Sequence, residues 1–216
     1  MSEITLVRHG QASFGKASYD KLSELGITQV RHLMRHWKEL GEGFDQIYTG
    51  SLQRQRETAK ELLMLVKSDQ PPSYVDDSFN EYNGDSLIRI YLRDFAAREG
   101  SKSGIEMPIK DERLFQSYFE KATSKWLRGQ LIPGEDDSNF ESWRTFKQRV
   151  YSGLDNIMSR HASGSRTLIA TSGGVIATAL QRVLNFPDEQ VIQTNWMVHN
   201  SSITRIRYGN GKMSVT

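Results

Sequence analysis

Four short apolar runs, at residues 4–7 (ITLV), 44–49 (FDQIYT), 167–171 (TLIAT) and 202–208 (SITRIRY), each bounded by Gly, Ser or Asp, constrain this chain's fold most strongly. They have the length of strands, and ITLV and TLIAT carry the continuous apolar character of strands covered on both faces. Between them lie helical patterns: Leu22, Leu25, Val30, Leu33, Met34 and Trp37 in one, Leu62, Leu63, Leu65 and Val66 in the next. Strand alternating with helix predicts parallel pairing and an α/β fold, a three-layer αβα arrangement around a mostly parallel central sheet.

Residues 86–140 break that rhythm. Amphipathic stretches around LIRIYLRDFAAREG and ERLFQSYFEKATSKWLRG, separated by SKSGIEMP and closed by LIPGEDDSN, predict a mostly helical insertion. A last long helix, NFESWRTFKQRVYSGLDNIMSRH, leads back to TLIAT, with Asp136, Asp137, Ser138 and Asn139 as candidate N-caps. The 216 residues, 37% hydrophobic, suffice for one sizeable core, so a single domain over 1–216 carrying the 86–140 insertion is expected.

Composition removes several function classes. The 28 basic residues exceed the 26 acidic ones by only two and are scattered among them, which argues against nucleic acid or an anionic membrane as the main partner. Without cysteine there is no disulfide, zinc ribbon or thiol nucleophile. MSEITLVRHG has neither the basic nor the apolar region of a signal peptide, and no window approaches a membrane span, so a cytoplasmic protein, monomer or homodimer, is expected.

Ligands of open α/β sheets bind beyond the carboxyl ends of the strands. Arg8 and His9 follow ITLV directly, Gly10 permits a sharp turn there, and Gln11 and Ser13 keep the next loop polar. TGSLQRQRETA, residues 49–59, also joins a strand to a helix, whose free N–H groups and dipole favour an anion. Arg54 and Arg56 lie two apart and point in different directions on a helix, so one of them faces the site. TSGGV at 171–175 is a third such junction, with glycines that let backbone N–H groups approach a ligand. Taken singly, RHG reads as a solvated loop, SGG as a tight turn and QRQRE as a solvated helix face. Their occurrence in order at three strand ends of one sheet points instead to a shared anion site.

With those motifs in hand, the chain resembles the histidine phosphatase superfamily, which includes the cofactor-dependent phosphoglycerate mutases. LVRHGQAS carries the family's RHG motif, YTGSLQRQRETA stands for its usual YTSPLQRARQTA, Glu81 follows the first half, ESWRTFKQRV matches an ESW-type helix, and LIATSGGVIATAL lies near the end. The resemblance implies a phosphatase that hydrolyses small phosphomonoesters without metal or cofactor. His9 would be the nucleophile that becomes phosphohistidine, with its other ring nitrogen held by a carbonyl. Arg8 and Arg54 would clamp the phosphate, with Gln11, Ser172 and Gly173 as further phosphate ligands. Glu81 would protonate the leaving oxygen and then deprotonate water; Asp85 is its understudy.

The family's last motif usually reads SHGG, with a second histidine on the phosphate. Here Ser172 stands at that position, a neutral donor in place of a charge-assisted one of about twice the strength. Backbone N–H groups of Gly173 and Gly174, or His199 from the side, are the conceivable replacements; His32, His36 and His161 carry no expected chemistry. A mutase, and a catalytically silent phosphate-binding or protein-interaction module on the same fold, are the alternatives. Substrate selectivity is expected from the 86–140 insertion, with Tyr82, Asn83 and Arg89 at the mouth of the site.

Overall fold

The computed structural model describes residues 1–13, 20–67, 73–99 and 111–216; the SKSGIEMP stretch lies outside them. Two compact units emerge. One comprises Met1–Glu81 with Arg149–Thr216, the other Tyr82–Gln148, which contains the 86–140 segment.

The first unit holds a six-stranded sheet of order β3-β2-β4-β1-β5-β6. Its strands are β1 (Ser2–Arg8), β2 (Gln46–Thr49), β3 (Tyr74–Val75), β4 (Arg166–Thr171), β5 (Ile203–Gly209) and β6 (Lys212–Val215). β1 and β4 lie at the centre in parallel register, with Ile4 opposite Thr167 and Arg8 opposite Thr171. Both are buried along nearly their whole length, which is why they read as unbroken apolar runs. β2 pairs parallel with β4 and with β3.

β5 departs from the expected parallel pairing: it runs antiparallel to β1 and returns through a hairpin into β6. Its alternation of Ile203, Arg205 and Arg207, exposed or partly so, with the buried Ile206 and Tyr208 marks a strand solvated on one face. The hairpin turns on Asn210 and Gly211, both at positive φ (50° and 73°), the pair that a type I′ turn demands.

Helices α1 (Glu24–Glu39) and α2 (Gln53–Leu62) cover one face of this sheet. Val30 and Trp37 of α1, Ala59 and Leu62 of α2, and Val7, Ile47, Leu168 and Ala170 of the strands form one buried cluster. The apolar run 62–66, expected to be helical, is mostly a 3-10 turn, Leu63–Leu65. Helix α5 (Trp143–Arg160) enters this unit at Arg149, followed by α6 (Gly173–Leu184) and α7 (Glu189–Met197).

None of the candidate caps at 136–139 starts α5. Ser142 does so, its hydroxyl accepting from the Thr145 N–H at 3.1 Å. Asp137 is instead buried in the second unit, where it accepts from Gly134 N–H (2.8 Å), Arg93 (2.6 Å) and Arg89 (3.1 Å). In that unit α3 (Gly84–Glu99) packs on α4 (Glu112–Leu127). Tyr82 is 7% exposed and lies 4.8 Å from Trp126 and edge-on to Phe146, ring to ring. Tyr82 is thus a core aromatic, and Arg89 is engaged with a buried carboxylate.

Candidate active site

Register carries the site. β1 ends at Arg8 opposite Thr171, so His9 and Ser172 are the next pair at the carboxyl edge, and the His9 N–H donates to the Thr171 carbonyl at 2.8 Å. A loop after α7 fastens the same turn from the other side. Ser201 N–H donates to the Arg8 carbonyl (3.0 Å), Asn200 Nδ2 to the His9 carbonyl (3.0 Å), and an Arg8 guanidinium N–H to the Val198 carbonyl. Ser201 holds the left-handed φ of 58° that this close turn requires.

Gly10 serves packing. Its φ lies outside the left-handed region, and an added Cβ would meet the backbone of Gly26, at 2.8 Å from its carbonyl carbon. The first turn of α1 rests directly on the RHG turn. Gly10 N–H donates to Thr58 Oγ1 of α2 at 3.3 Å, which ties the same turn to the second helix.

His9 is 6% exposed. Its Nδ1 lies 2.7 Å from the Gly10 carbonyl, which can only accept, so Nδ1 carries the proton and Nε2 keeps its lone pair. Arg54 Nε donates to that Nε2 at 3.2 Å. Burial first, then the charge of Arg54 and then that of Arg8, lower the pKa from 6.5 to about 3, against a raising contribution from the Gly10 carbonyl. The imidazole is therefore neutral at pH 7, as a nucleophile must be.

This has a consequence for stability. Between pH 6.5 and about 3 the unfolded chain binds a proton at His9 that the folded protein excludes, so stability falls as pH drops through that window and this loss levels off below it. A His9→Gln variant, neutral at every pH, lacks the effect. Relative to it, the wild type should lose about 2 kcal/mol between pH 7 and pH 5, measured by urea denaturation at the two pH values.

Arg54 extends from the first turn of α2 with its guanidinium shared between His9 and Asp20. Asp20 also accepts from the Gln53 N–H at 2.8 Å, so the anion at the α2 N-terminus is the chain's own carboxylate. Arg56, the alternative cation, is exposed. Glu81 holds the corresponding place on α6: its carboxylate accepts from the Gly174 N–H at 2.9 Å. Gly173 lacks a Cβ because Asn195 of α7 occupies that position.

Ser172 is fully buried, and its oxygen accepts from Gln55 Nε2 at 2.8 Å. Gln55, fully buried as well, also donates to the Phe79 carbonyl at 2.9 Å. Its Oε1 lies against Gly50, where a Cβ would collide with it. Gly50, Gln55 and Ser172 thus fit one another. Gln11 is exposed, its Oε1 accepting from Ser23 Oγ at 2.9 Å. His199 is exposed in the loop beside Asn200, and Asp85 is exposed in the first turn of α3.

Asp20, Gln55 and Asn200 were missed by sequence reasoning. Only Gln55 carried a signal, as the departure from Ala within RARQTA. Among the described residues no group of His, Asp and Glu side chains could hold a metal ion, and no helix is long and apolar enough to cross a membrane.

A buried neutral histidine beside Arg54 and next to Arg8 in the chain, at the carboxyl edge of a mostly parallel sheet, with the Glu81 carboxylate seated on the N-terminus of α6, suits phosphoryl transfer chemically. The chain belongs to the histidine phosphatase superfamily (branch 1), whose sequence profile matches residues 4–97 and 110–216. It is 26% identical over 199 residues to a 2,3-bisphosphoglycerate-dependent phosphoglycerate mutase of Parvibaculum lavamentivorans, covering 89% of this chain and 84% of that protein. In fold it is similar to a mutant phosphoserine phosphatase from Entamoeba histolytica in complex with phosphoserine (TM-score 0.66, 17% identity, 100% and 95% of the two chains). It is also similar to Bacillus stearothermophilus YhfR (TM-score 0.68, 19% identity, 100% and 96%).

Proposed function

We propose that the protein is a metal-independent phosphatase that hydrolyses small phosphomonoesters through a phosphohistidine at His9 Nε2. The observation that carries this reading is the fixed tautomer: Gly10 holds the Nδ1 proton, and the Nε2 lone pair lies beside Arg54. Nε2 attacks phosphorus, the P–O bond to the alcohol breaks, and Glu81 gives its proton to the departing oxygen. Water then attacks the phosphohistidine while Glu81 takes the water's proton, the P–N bond breaks, and inorganic phosphate leaves. Arg8 and Arg54 bind the equatorial oxygens, where permanently charged planar forks suit a spreading negative charge. Ser172 is left out of this clamp because it is fully buried on Gln55.

A mutase is the second reading, favoured by the likeness to the Parvibaculum enzyme. Against it, Asp20 pairs with Arg54 and offsets its charge, which suits poorly a site that must retain a doubly phosphorylated intermediate and exclude water from it. The test is incubation with para-nitrophenyl phosphate, a panel of phosphorylated metabolites, and 3-phosphoglycerate with 2,3-bisphosphoglycerate. Release of inorganic phosphate is expected. Formation of 2-phosphoglycerate faster than release of phosphate would establish the mutase instead.

A further inference from the structure

The segment that delivers Glu81 is held in an unusual way. Carbonyl groups of four successive residues, 77 to 80, all accept hydrogen bonds from side chains. Arg149 Nη1 is shared among those of Asp77 (3.1 Å), Ser78 (3.0 Å) and Asn80 (2.8 Å). The remaining one, Phe79, accepts from Gln55 Nε2 (2.9 Å) and Thr171 Oγ1 (2.7 Å). Asn80 adds a side-chain tie in both directions, accepting from Ser51 N–H at 2.7 Å and donating to Ser51 Oγ at 2.9 Å.

Helix α5 is shaped to reach this turn. Gly153 lies one turn after Arg149 on the same helix face. A Cβ there would come within 2.6 Å of Ser78 Cβ and 3.1 Å of the Phe79 ring. The bare glycine admits the helix, and the arginine one turn earlier spans the carbonyls. A 3-10 turn of three residues, Asp77–Phe79, needs no such set of donors merely to exist. The position that benefits is the next one along, Glu81, which has to meet the leaving oxygen within hydrogen-bond reach.

We infer that Arg149 is a positioning residue for the acid and base Glu81, acting with Gln55 and Thr171 through the carbonyls of 77–80. This rests on the phosphatase reading and adds a residue to it. Arg149 touches no substrate; it fixes where the Glu81 carboxyl stands. Loss of Arg149 therefore harms the step in which Glu81 donates a proton and spares the phosphate site formed by Arg8, His9 and Arg54.

Leaving groups separate these effects. Para-nitrophenolate departs without a proton, whereas the alkoxide of glycerol 3-phosphate needs one. In Arg149→Met, kcat/KM for glycerol 3-phosphate should fall about 100-fold, while that for para-nitrophenyl phosphate stays within about 3-fold and inhibition by inorganic phosphate is unchanged. Arg149→Lys, which keeps a donor of smaller reach, should fall between. In a Glu81→Gln background, Arg149→Met should change the ratio of the two substrates no further. Equal losses on both substrates, or an unchanged ratio in a folded variant, would overturn the positioning role and leave the phosphatase reading standing. Absence of turnover of both esters by the wild type would overturn both.

Discussion

His9→Ala is expected to lower phosphatase turnover by about 10⁴-fold or more, the scale seen when a covalent nucleophile is removed, and to abolish acid-labile phosphoryl labelling of the protein. Among the described residues no neighbouring group is built to replace it. Ser172 is buried with its oxygen on Gln55, Thr58 accepts from Gly10 N–H, and His199 is exposed in a surface loop. What remains is direct attack by water on a phosphate held by Arg8 and Arg54, which provides orientation and charge but no covalent route. His9 is nearly buried, so its truncation also leaves a small cavity and costs stability. Thermal denaturation of His9→Ala and His9→Gln distinguishes that cost from lost chemistry: both should be folded at assay temperature and both inactive. A folded variant retaining a tenth of wild-type turnover would exclude His9 as the nucleophile.

That His9 and Arg54 share one site was legible because both stand at ends of regular elements. ITLV and TLIAT are buried on both faces, so the strands are unmistakable, and whatever follows them lies at the carboxyl edge. Arg54 follows from the same logic on α2. The rest of the site is assembled by side chains distant in sequence, such as Arg54 with Asp20, Gln55 with Ser172, and Asn200 with His9, separated by 34, 117 and 191 residues. Periodicity records burial and says nothing of such partners. Arg149 shows the limit well: it lies in the ESWRTFKQRV helix and reads as an ordinary helix-surface cation until α5 is set against the 77–80 turn.

Two fold features were written in the sequence and passed over. Asn210-Gly211 is a strong hairpin signal that specifies β6. The alternation in SITRIRY excludes a strand covered on both faces and so accords with the antiparallel β5. By contrast, β3 has only two residues, paired to Tyr48 and Thr49, too short for any periodicity. Ser172 was legible as a departure, yet its burial followed from Gln55 and Gly50, two other departures whose contact only the folded chain brings about.

Glu81→Gln is expected to divide the reaction at its two proton transfers. The amide keeps the shape of the carboxyl and can neither donate an acidic proton to an alkoxide nor take one from water. For an alkyl phosphate, kcat/KM should therefore fall about 10²- to 10⁴-fold, the usual contribution of general acid catalysis. For para-nitrophenyl phosphate the first step needs no proton and should proceed, while the second still needs the base. The variant should then release about one equivalent of nitrophenolate in a fast burst and turn over slowly afterwards, with phosphohistidine accumulating, a pattern read by rapid mixing and by the acid-labile label. Gly174 N–H holds the Glu81 carboxylate at the head of α6, beside the residue that faces His9 across the strand ends. A carboxylate placed there only to cap the helix would have no part in either step, and Glu81→Gln would then lose stability while turning over both substrates as the wild type does. The burst, appearing with one leaving group and not the other, is the result that a cap alone has no means of producing.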